Sequence, residues 1–525
     1  MNRGRVPLFR SLTRQLRLAH WQQEESRRRF LRLLGAAGAG VLGAPLLPGQ
    51  EPAETPDPAS PEEEKKPRRQ LDGPVAVVGG GIAGLTAALR LSQAGAEVHL
   101  YEGSERFGGR MFTKRGFNQD GMFCELGGEL VDSNHEALIA LCKEMGLEIQ
   151  PLKEGEAGVD FYHVGGQIYT DADLIPAFGS LAARIAADAE GLLDADEAYT
   201  DKARQLDKRD MRSYLKEAGA GTDKWLLDML DIAYCCEYGL DTDKQSALAL
   251  IEIIGTDTAN GFEMFGESDE AHRIKGGNDG LPTAVFNAIK GKVKTLAGHQ
   301  WVKVAEDGSK VKLTFRADGQ TINESYAHVI SAIPFSIART VSGLADLPLG
   351  DEKKRALAEM AYGTNLKVMW GVKNRLWRTP TGGRGVFCNG AVISDLPFQQ
   401  IWETSRGQDG ESGIITNFMG GTPGTQFTPD RLEKFPGEVD KVFPGFKAAL
   451  DGQRAMMNWP SMKWVRGSYA SALAGQWTWI FAASAAAELD GRLHFAGEHT
   501  SENFCGFMNG GVETGERAAK ELLEA

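Results

Sequence analysis

The ten residues 75–84, VAVVGGGIAG, join a short apolar run to a turn that is rich in glycine. An apolar run of this length is typical of a strand buried on both faces of a parallel sheet. Apolar residues then recur at helical spacing up to Gly95, and residues 97–101 alternate as a second strand that Glu102 follows, 23 positions after Gly79. Strand, glycine turn, helix, strand and acid, in this order, predict a βαβ unit that binds a dinucleotide, with Glu102 accepting hydrogen bonds from its ribose.

The glycines follow the spacing Gly-x-Gly-x-x-Gly, and each has its own task in such a unit. Gly79 makes the tight turn, Gly81 lets the backbone approach a pyrophosphate, and Gly84 lets the helix pack against the strand. The N–H groups of Ile82 and Ala83, at the helix start, offer donors and a positive dipole end to the phosphates. The alternative is a glycine-rich turn in an unrelated α/β domain.

The composition sets limits on the class of protein. The chain has 525 residues, of which 42% are hydrophobic and 25% charged, and its net charge is −13. These are globular values for two or three core-forming units, and they exclude a wholly disordered, collagen-like or multi-span membrane protein. Without a basic excess to neutralise a phosphate backbone, nucleic acid is not an expected partner. The six cysteines show neither Cys-x-x-Cys nor a zinc-like spacing with histidine, so no metal site is predicted.

The first fifty residues carry nine arginines and only two glutamates, a charge asymmetry typical of a targeting segment. Arg27 and Arg28 form a pair, Phe30 and Leu31 follow, and the next apolar stretch is too short to span a bilayer comfortably. The pattern resembles a twin-arginine export signal. A basic helix on a membrane surface is the alternative.

The signal covers residues 1–47 in this interpretation, and six prolines mark residues 48–73 as a linker. Twin-arginine export carries folded proteins, which suits an enzyme that loads a cofactor before leaving the cytoplasm. We therefore expect the twin-arginine translocation machinery as a partner. The expected location is the periplasm, either free or anchored to the membrane and facing the periplasm.

Two further glycine pairs follow the second strand, in RFGGR at 106–110 and ELGGEL at 125–130. Together with the glycine turn, these motifs resemble the flavin-containing amine oxidase family, which includes monoamine, polyamine and L-amino-acid oxidases. The resemblance implies that four residues lie along an FAD cofactor: Arg110, Gly127, Gly128 and Glu129. One departure is Ser104, because the family usually has an arginine there that contacts a cofactor phosphate.

The C-terminal part supplies a second match to the same family, in LHFAGEHT at 493–500 and CGFMNGGVETG at 505–515. The resemblance implies that Glu498 faces the ribityl and phosphate region of FAD. It also implies that the backbone near Met508, at a helix start, faces the pyrimidine oxygens of the flavin. Val302, at the start of a predicted hairpin, is a further candidate for cofactor binding.

The implied fold class is α/β, with a discontinuous Rossmann-like FAD-binding domain and an inserted α+β substrate-binding domain. Residues 74–150, 271–335 and 470–525 form the predicted FAD-binding domain. Residues 151–270 and 336–469 form the predicted substrate-binding domain. Distant parts of the chain thus contribute to one cofactor site.

The middle of the chain supplies the expected reaction-side residues. YGTNLKV at 362–368 resembles the family segment with a lysine, so Lys367 is expected to reach flavin N5 through a water. Monoamine oxidases bond a cysteine to the flavin where this chain has Ser468, so FAD is expected to be non-covalent. Tyr469 and Phe507 are the expected walls of an aromatic cage that guides an amine to the flavin. The alternatives are a surface lysine and ordinary core aromatic residues.

The resemblance implies oxidation of an amine by hydride transfer to flavin N5, with hydrolysis of the imine to an aldehyde or ketone plus ammonia or a smaller amine. Glu129 and Asp132 are the substrate-binding candidates, since either carboxylate would pair with a distal ammonium; a capping role is the alternative for Asp132. Glu129 would repel a substrate carboxylate, which favours an amine without an α-carboxylate. An amino acid remains an alternative substrate, because Arg273 or Arg384 could bind its carboxylate.

Oxygen, with hydrogen peroxide as product, or a periplasmic electron carrier would reoxidise the flavin. A homodimer is a further candidate assembly. Three other functions stay open on this scaffold: an L-amino-acid oxidase, a desaturase of the carotenoid or protoporphyrinogen type, and a non-catalytic binding protein.

Overall fold

The computed structural model describes residues 71–152, 158–259, 261–380 and 385–524. The predicted signal, the linker up to residue 70, and Arg384 lie outside the described residues. The chain divides into two compact units, one of which includes residues 191–203. Within that segment, Leu193 and Tyr199 form an antiparallel bridge. The other unit contains the remaining described residues, and the elements of the site belong to it.

The strands of the described residues are numbered in chain order. They are β1 (Val75–Val78), β2 (Val98–Tyr101), β3 (Thr113–Lys114), β4 (Cys124–Glu125), β5 (Ile149–Pro151), β6 (Val159–Val164), β7 (Gln167–Tyr169), β8 (His272–Ile274), β9 (Lys294–Leu296), β10 (Gln300–Asp307), β11 (Lys310–Ala317), β12 (Gln320–Tyr326), β13 (His328–Ser331), β14 (Ala361–Tyr362), β15 (Leu366–Val372), β16 (Cys388–Ser394), β17 (Gln400–Glu403), β18 (Gly413–Met419), β19 (Leu450–Asn458), β20 (Ala470–Ser471) and β21 (Leu493–Phe495).

The helices are numbered in the same way. They are α1 (Ile82–Gln93), α2 (Glu136–Glu144), α3 (Asp171–Ala189), α4 (Asp201–Asp207), α5 (Met211–Ala218), α6 (Lys224–Tyr238), α7 (Leu248–Ile251), α8 (Gly280–Ile289), α9 (Phe335–Ala338), α10 (Asp351–Glu359), α11 (Gly421–Thr425), α12 (Pro429–Val439), α13 (Phe446–Ala449), α14 (Ile480–Ala485) and α15 (Met508–Glu524). Single 3₁₀ turns lie at Leu376–Arg378, Trp459–Ser461 and Glu498–Thr500. None of the helices within the described ranges is long and apolar enough to cross a membrane.

A five-stranded parallel sheet carries the glycine turn, with the strand order β21-β13-β1-β2-β9. Val77 of the central strand is in register with Leu100 on one side and Ile330 on the other. All four residues of β1 are buried, as the continuous apolar run predicts. The C-terminal strand β21 pairs with β13, so residues 493–495 complete the sheet that β1 and β2 begin.

The C-terminal helix α15 packs closely against α1. A Cβ atom on Gly511 would lie 2.7 Å from the Ile82 side chain, and one on Gly515 would lie 2.3 Å from the Ala83 carbonyl oxygen. Glycine at both positions therefore permits the close approach of the two helices. This packing brings the start of α15 to the glycine turn.

A second, seven-stranded sheet has the order β19-β15-β18-β17-β16-β6-β7. Its pairs are antiparallel except for β6 with β16. Its core holds Trp377, Phe161 and Ile401, and α12 and α13 supply further apolar side chains to it. Parallel α/β and mixed α+β layers in one chain confirm the predicted fold class.

One domain boundary differs from the prediction. Residues 336–360 were assigned to the substrate-binding domain, but Ala356 and Leu357 of α10 share a buried core with Val329 of β13 and Phe495 of β21. The reason is that α9 and α10 follow β13 closely in sequence and cover one face of the parallel sheet with their apolar residues. The segment therefore packs with the cofactor domain up to about the start of β14.

Candidate active site

The glycine turn between β1 and α1 is fixed by its own backbone. Gly79 has a φ of +114°, and a Cβ there would lie 2.7 Å from the Ala332 carbonyl oxygen. A Cβ on Gly84 would lie 1.9 Å from the Gly79 carbonyl oxygen. A Cβ on Gly81 would meet only the Gly109 Cα, at 3.9 Å. Gly79 and Gly84 thus shape the turn, whereas Gly81 leaves free space in front of it.

The start of α1 borders the same space. Gly81 is its N-cap, and no described side chain caps the helix there. The N–H groups of the first turn, those of Ile82 and Ala83 included, are therefore placed as donors for an anionic group.

Glu102, at the end of β2, holds the turn from the other side. Its Oε2 accepts a hydrogen bond from the Gly80 N–H at 2.8 Å. Its Oε1 accepts from the Ser104 N–H at 2.8 Å and from the Ser104 hydroxyl at 2.7 Å. Ser104, which departs from the family pattern, therefore fixes the orientation of this carboxylate.

The second glycine pair lies against the first. Gly108 bridges Gly81 and donates its N–H to the Gly80 carbonyl oxygen at 2.8 Å. Gly109 lies so close to Gly81 that a Cβ on Gly109 would be 3.1 Å from the Gly81 Cα. The Arg106 side chain donates to the Met111 carbonyl oxygen at 3.1 Å and so holds the loop. The two loops thus present glycine backbone to one space.

Arg110, which is partly buried, and Glu498, which is buried, form an ion pair between distant parts of the chain. The Arg110 guanidinium donates to Glu498 Oε1 at 2.7 Å and to the Ser468 carbonyl oxygen at 2.9 Å. Glu498 Oε2 accepts from the Gly506 N–H at 2.9 Å. Burial acts to raise the pKa of the Glu498 carboxyl, but Arg110, His499 and the Gly506 N–H together hold that pKa below its ordinary value. The pair therefore stays charged and joins three separate loops.

Gly127 and Gly128 lie between Arg110 and the start of α15. A Cβ on Gly127 would lie 1.7 Å from the Arg110 carbonyl oxygen, and one on Gly128 would lie 2.7 Å from the Met508 side chain. The predicted cofactor residues of the N-terminal and C-terminal motifs are thereby in direct contact.

Lys367, on β15, is buried and its ammonium meets three acceptors. Nζ lies 2.8 Å from Glu129 Oε2, 2.9 Å from the Gly127 carbonyl oxygen and 3.4 Å from the Glu125 carbonyl oxygen. Burial acts to raise the pKa of the Glu129 carboxyl, but Lys367, together with Thr404 and Trp402, lowers it below its ordinary value. Lys367, the predicted reaction-side residue, is thus paired with Glu129, a contact that the sequence did not indicate.

Glu125 is a second buried carboxyl beside this pair. Its Oε1 accepts from the Asn278 N–H and its Oε2 from the Thr113 hydroxyl, each at 2.8 Å. Burial raises its pKa to about 8, so the carboxyl is protonated at neutral pH. Of these two acids, only Glu129 therefore carries a negative charge next to Lys367.

The two predicted cage aromatics meet at one loop. The Tyr469 ring packs against Gly506, with its nearest atom 3.4 Å from where a Cβ would be, and Phe507 is the next residue. The Tyr469 hydroxyl donates to the carbonyl oxygens of Cys236 and Glu237, at the end of α6. The Phe507 ring makes an edge contact with His135 at a centroid distance of 5.1 Å.

Asp132 anchors a turn in the structure. It is 3% exposed, and its two oxygens accept from the Ser268 hydroxyl at 2.8 Å and the Glu270 N–H at 2.9 Å. His135 Nε2 lies 3.3 Å from the same carboxylate. This geometry supports the capping alternative over direct contact with a substrate.

Val302 lies at a bulge, because the pairing of β10 with β11 shifts between Trp301 and Lys303. Its carbonyl oxygen accepts from the Ser342 N–H at 3.0 Å. The bulge lies three residues beyond His299, whose N–H donates to the Glu102 carbonyl oxygen at 2.8 Å. Val302 is thus tied to the strand end that carries the predicted ribose-binding acid.

Several residues of the site carried no signal in the sequence. Thr404 donates to Glu129 Oε1 at 2.7 Å, and Asn365 accepts from the Ser468 hydroxyl at 2.6 Å. Neither belongs to a motif that marks such a contact. Within the described parts of the chain, no group of three or more His, Cys, Asp or Glu residues is arranged to hold a metal.

Comparison with known proteins identifies the class. A family profile described as "Flavin containing amine oxidoreductase" matches residues 82–523. Amine oxidase (flavin-containing) A of Sus scrofa is 25% identical over 477 residues, which cover 86% of this chain and 85% of that protein. The L-amino acid dehydrogenase of Synechocystis sp. is 24% identical over 471 residues, covering 85% and 94% respectively. Among solved structures, cyclohexylamine oxidase from Brevibacterium oxydans IH-35A has a TM-score of 0.70 at 22% identity, covering 86% of this chain and 99% of that chain.

The chain belongs to the flavin-containing amine oxidoreductases. It is an oxidoreductase that acts on amines, and FAD is its cofactor. The predicted family, fold class, enzyme class and cofactor are thereby confirmed. Ser468, whose hydroxyl is engaged by Asn365, provides no thiol for a covalent bond.

The residues of the structure fit this cofactor. Gly81 leaves open space beside the uncapped start of α1, which suits a diphosphate. The start of α15 at Met508 lies against Gly128, so the positive end of a second helix points into the same region. The residues that would hold FAD are thus those of the glycine turn, Glu102, the Arg110–Glu498 pair and the start of α15.

Proposed function

We propose that this enzyme oxidises an amine that carries no α-carboxylate, and that the imine hydrolyses to an aldehyde or ketone plus ammonia or a smaller amine. FAD, when bound, supplies the two-electron acceptor for the hydride of the carbon next to nitrogen. Tyr469 and Phe507 would flank the amine and exclude water, and Lys367, paired with Glu129, would face the cofactor.

The charge around the cage carries this proposal. The Tyr469 hydroxyl is bound to the Glu237 backbone, and burial, together with the nearby Glu270 and Asp132, raises the pKa of the Glu237 carboxyl to about 8. The Glu237 carboxyl is therefore uncharged at neutral pH, and Glu270 and Asp132 supply the negative charge on this side of the cage. That negative charge would attract an ammonium group and repel a carboxylate.

The basic side chains considered for a substrate carboxylate support the same conclusion. Arg273 is 1% exposed, and its guanidinium donates to the carbonyl oxygens of Thr404 and Arg406 and covers the Phe123 ring. Arg110 is paired with Glu498, and Lys367 with Glu129. Each of these three cations is thus engaged within the protein.

The test uses substrates that differ only by the carboxylate. Oxidised holoenzyme is mixed anaerobically with phenethylamine or L-phenylalanine, and with putrescine or L-ornithine, and loss of the visible flavin absorbance is followed. We expect each amine to bleach the flavin at least roughly tenfold faster than its amino acid, since a repelled charge costs more than about 1.4 kcal/mol here. Faster bleaching by the amino acids would overturn the proposal.

An L-amino acid is the second candidate substrate, because the relative from Synechocystis sp. is named an L-amino acid dehydrogenase. The same panel separates the two candidates. Bleaching by neither class, with dithionite still reducing the flavin, would contradict both and favour a desaturase or a binding protein.

We also propose that the protein is exported through the twin-arginine route and works in the periplasm or anchored to face it. The paired Arg27 and Arg28 before Phe30 support this. Replacement of both arginines by lysine should leave the yellow holoprotein in the cytoplasmic fraction of a twin-arginine-competent host; unchanged export would contradict it. For the assembly we propose a homodimer, which light scattering of the holoprotein tests.

A further inference from the structure

The Lys367–Glu129 ion pair is enclosed by the protein. Lys367 is 5% and Glu129 is 6% exposed, and the ammonium nitrogen and carboxylate oxygen lie 2.8 Å apart. The carbonyl oxygens of Gly127 and Glu125 accept hydrogen bonds from the other two N–H groups of the ammonium. All three N–H bonds of the ammonium are thus directed at acceptors of the protein.

Further contacts fix the carboxylate partner. Glu129 Oε1 accepts from the Thr404 hydroxyl at 2.7 Å, and Thr404 lies 2.6 Å from the Thr416 hydroxyl. The Lys367 ammonium also lies 5.2 Å from the centre of the Trp402 ring. Because both oxygens of Glu129 have donors, the pair has one geometry, and its two charges stay together.

The pair as a whole is electrically neutral. Glu125 is the other acid within reach, and it is protonated at neutral pH. Arg273 is a second cation whose charge also interacts with Glu129, but its guanidinium is bound to the carbonyl oxygens of Thr404 and Arg406 and not to the carboxylate. The positive charge of Lys367 is therefore compensated at 2.8 Å, whatever lies on its other side.

Compensation of this charge bears on the choice of electron acceptor. Transfer of a first electron to molecular oxygen creates an anion, and a nearby uncompensated cation lowers the free energy of that anion. A quinone takes up two electrons and two protons to become a neutral hydroquinone, so it depends less on such a cation.

We propose that Glu129 is a positioning residue that neutralises Lys367 next to the cofactor, which slows reoxidation by oxygen and makes the enzyme a dehydrogenase that uses a quinone-type acceptor. The proposal rests on the proposed placement of Lys367 toward the cofactor. For a primary amine the balance is RCH₂NH₂ + quinone + H₂O → RCHO + NH₃ + hydroquinone. The two electrons and two protons removed from the amine are those gained by the quinone.

The test changes the charge step by step and needs no substrate. Holoprotein reduced with dithionite is mixed with oxygen or with 1,4-benzoquinone, and the return of flavin absorbance gives the two rate constants. In Glu129→Gln the cation is uncompensated, so the oxygen rate constant should rise roughly tenfold and the quinone rate constant should change less. In Lys367→Met, which leaves Glu129 unpaired, the oxygen rate constant should not rise.

The flavin midpoint potential is the second readout. It should be highest in Glu129→Gln, intermediate in the wild type and lowest in Lys367→Met, because positive charge stabilises the reduced, more negative cofactor. The double variant Lys367→Met/Glu129→Met should lie near the wild type, since a buried pair is often replaced by apolar residues without loss of stability. If a single variant does not fold, the double variant still tests the proposal.

The control is the exposed pair of Lys275 and Glu148, in which Glu148→Gln removes the same charge from the surface and should change neither quantity. Equal oxygen rate constants in Glu129→Gln and wild type, potentials that do not follow the charge, or a wild type that reacts faster with oxygen than with benzoquinone would overturn this inference. Since dithionite replaces the substrate, these outcomes are independent of the amine panel that tests the proposed function.

Discussion

The Glu498 carboxylate lies 2.7 Å from the Arg110 guanidinium, 388 positions earlier in the chain. The same carboxylate binds the Gly506 N–H, and the same guanidinium binds the Ser468 carbonyl oxygen. One partly buried ion pair therefore sets the relative positions of the second glycine loop, the Ser468 segment and the start of α15.

Loss of the charge on Glu498 should destabilise the whole protein. In Glu498→Gln, the partly buried Arg110 loses its counter-charge, which should cost about 1–3 kcal/mol. Urea unfolding of the holoprotein measures this. Asp228→Asn, in the exposed pair with Lys224, is the matched control and should change the free energy of unfolding by less than about 0.5 kcal/mol. Equal effects of the two variants would refute the assigned role.

Two glycines of one motif should give opposite results when each is replaced by alanine. Gly81→Ala adds a methyl group to open space, so the apoprotein should keep its stability while FAD binding weakens roughly tenfold or more, since overpacking a binding surface costs about 1–3 kcal/mol. Gly84→Ala places the methyl group 1.9 Å from a carbonyl oxygen and should unfold the apoprotein. Thermal unfolding without FAD and fluorescence titration with FAD separate the cases. A destabilised Gly81→Ala apoprotein would contradict the assignment of that space to the cofactor.

Glu125 should make the folded state less stable as the pH rises. Its pKa is about 8 in the folded protein and about 4.5 when exposed, so between these values the folded state holds a proton that the unfolded state has lost. The free energy of unfolding must then fall with rising pH across this interval. Glu125→Gln removes the titration, so the variant should gain stability relative to the wild type from pH 5 to pH 8.5. Parallel pH profiles of unfolding for the two proteins would show that Glu125 is not the buried acid responsible.

The Tyr469 hydroxyl and the Tyr469 ring should have separable effects. Tyr469→Phe loses the bonds to the Cys236 and Glu237 carbonyl oxygens, which costs about 1 kcal/mol of stability, but it keeps the aromatic face. Anaerobic stopped-flow reduction by a good amine substrate should slow less than tenfold. Tyr469→Leu removes the face and should slow reduction more than tenfold. If both variants react equally fast, Tyr469 is a core residue and not part of the cage.

The parts of the site that the sequence predicted are those fixed by backbone geometry. Gly79, Gly84 and Gly127 stand where a Cβ would collide with a carbonyl oxygen, so the residue type itself reports the close approach. The spacing of such glycines after a strand is a local property, and it was sufficient to predict the βαβ unit of β1, α1 and β2.

Contacts between distant side chains were not predictable in the same way. Glu129 and Lys367 are 238 positions apart, and nothing near either residue indicates the other. Asp132 has the residue type of a substrate ligand, but the fold brings Ser268 and the Glu270 N–H to it, and the carboxylate becomes a turn anchor. Ser104 was expected only to remove a cofactor contact, whereas it orients Glu102. In each case tertiary packing decides what a polar group binds.

The strand order of the parallel sheet has a consequence for biosynthesis. β13 lies between β1 and β21, and β21 together with α15 comes from residues 493–524. Until the ribosome has released these residues, the edge of β13 that faces away from β1 has no partner strand and is a ready template for aggregation. The seven-stranded sheet is complete by Asn458 and can fold earlier. The cofactor cradle is thus completed after the seven-stranded sheet, and in the interval the open edge of β13 is a site for a nascent-chain chaperone to cover.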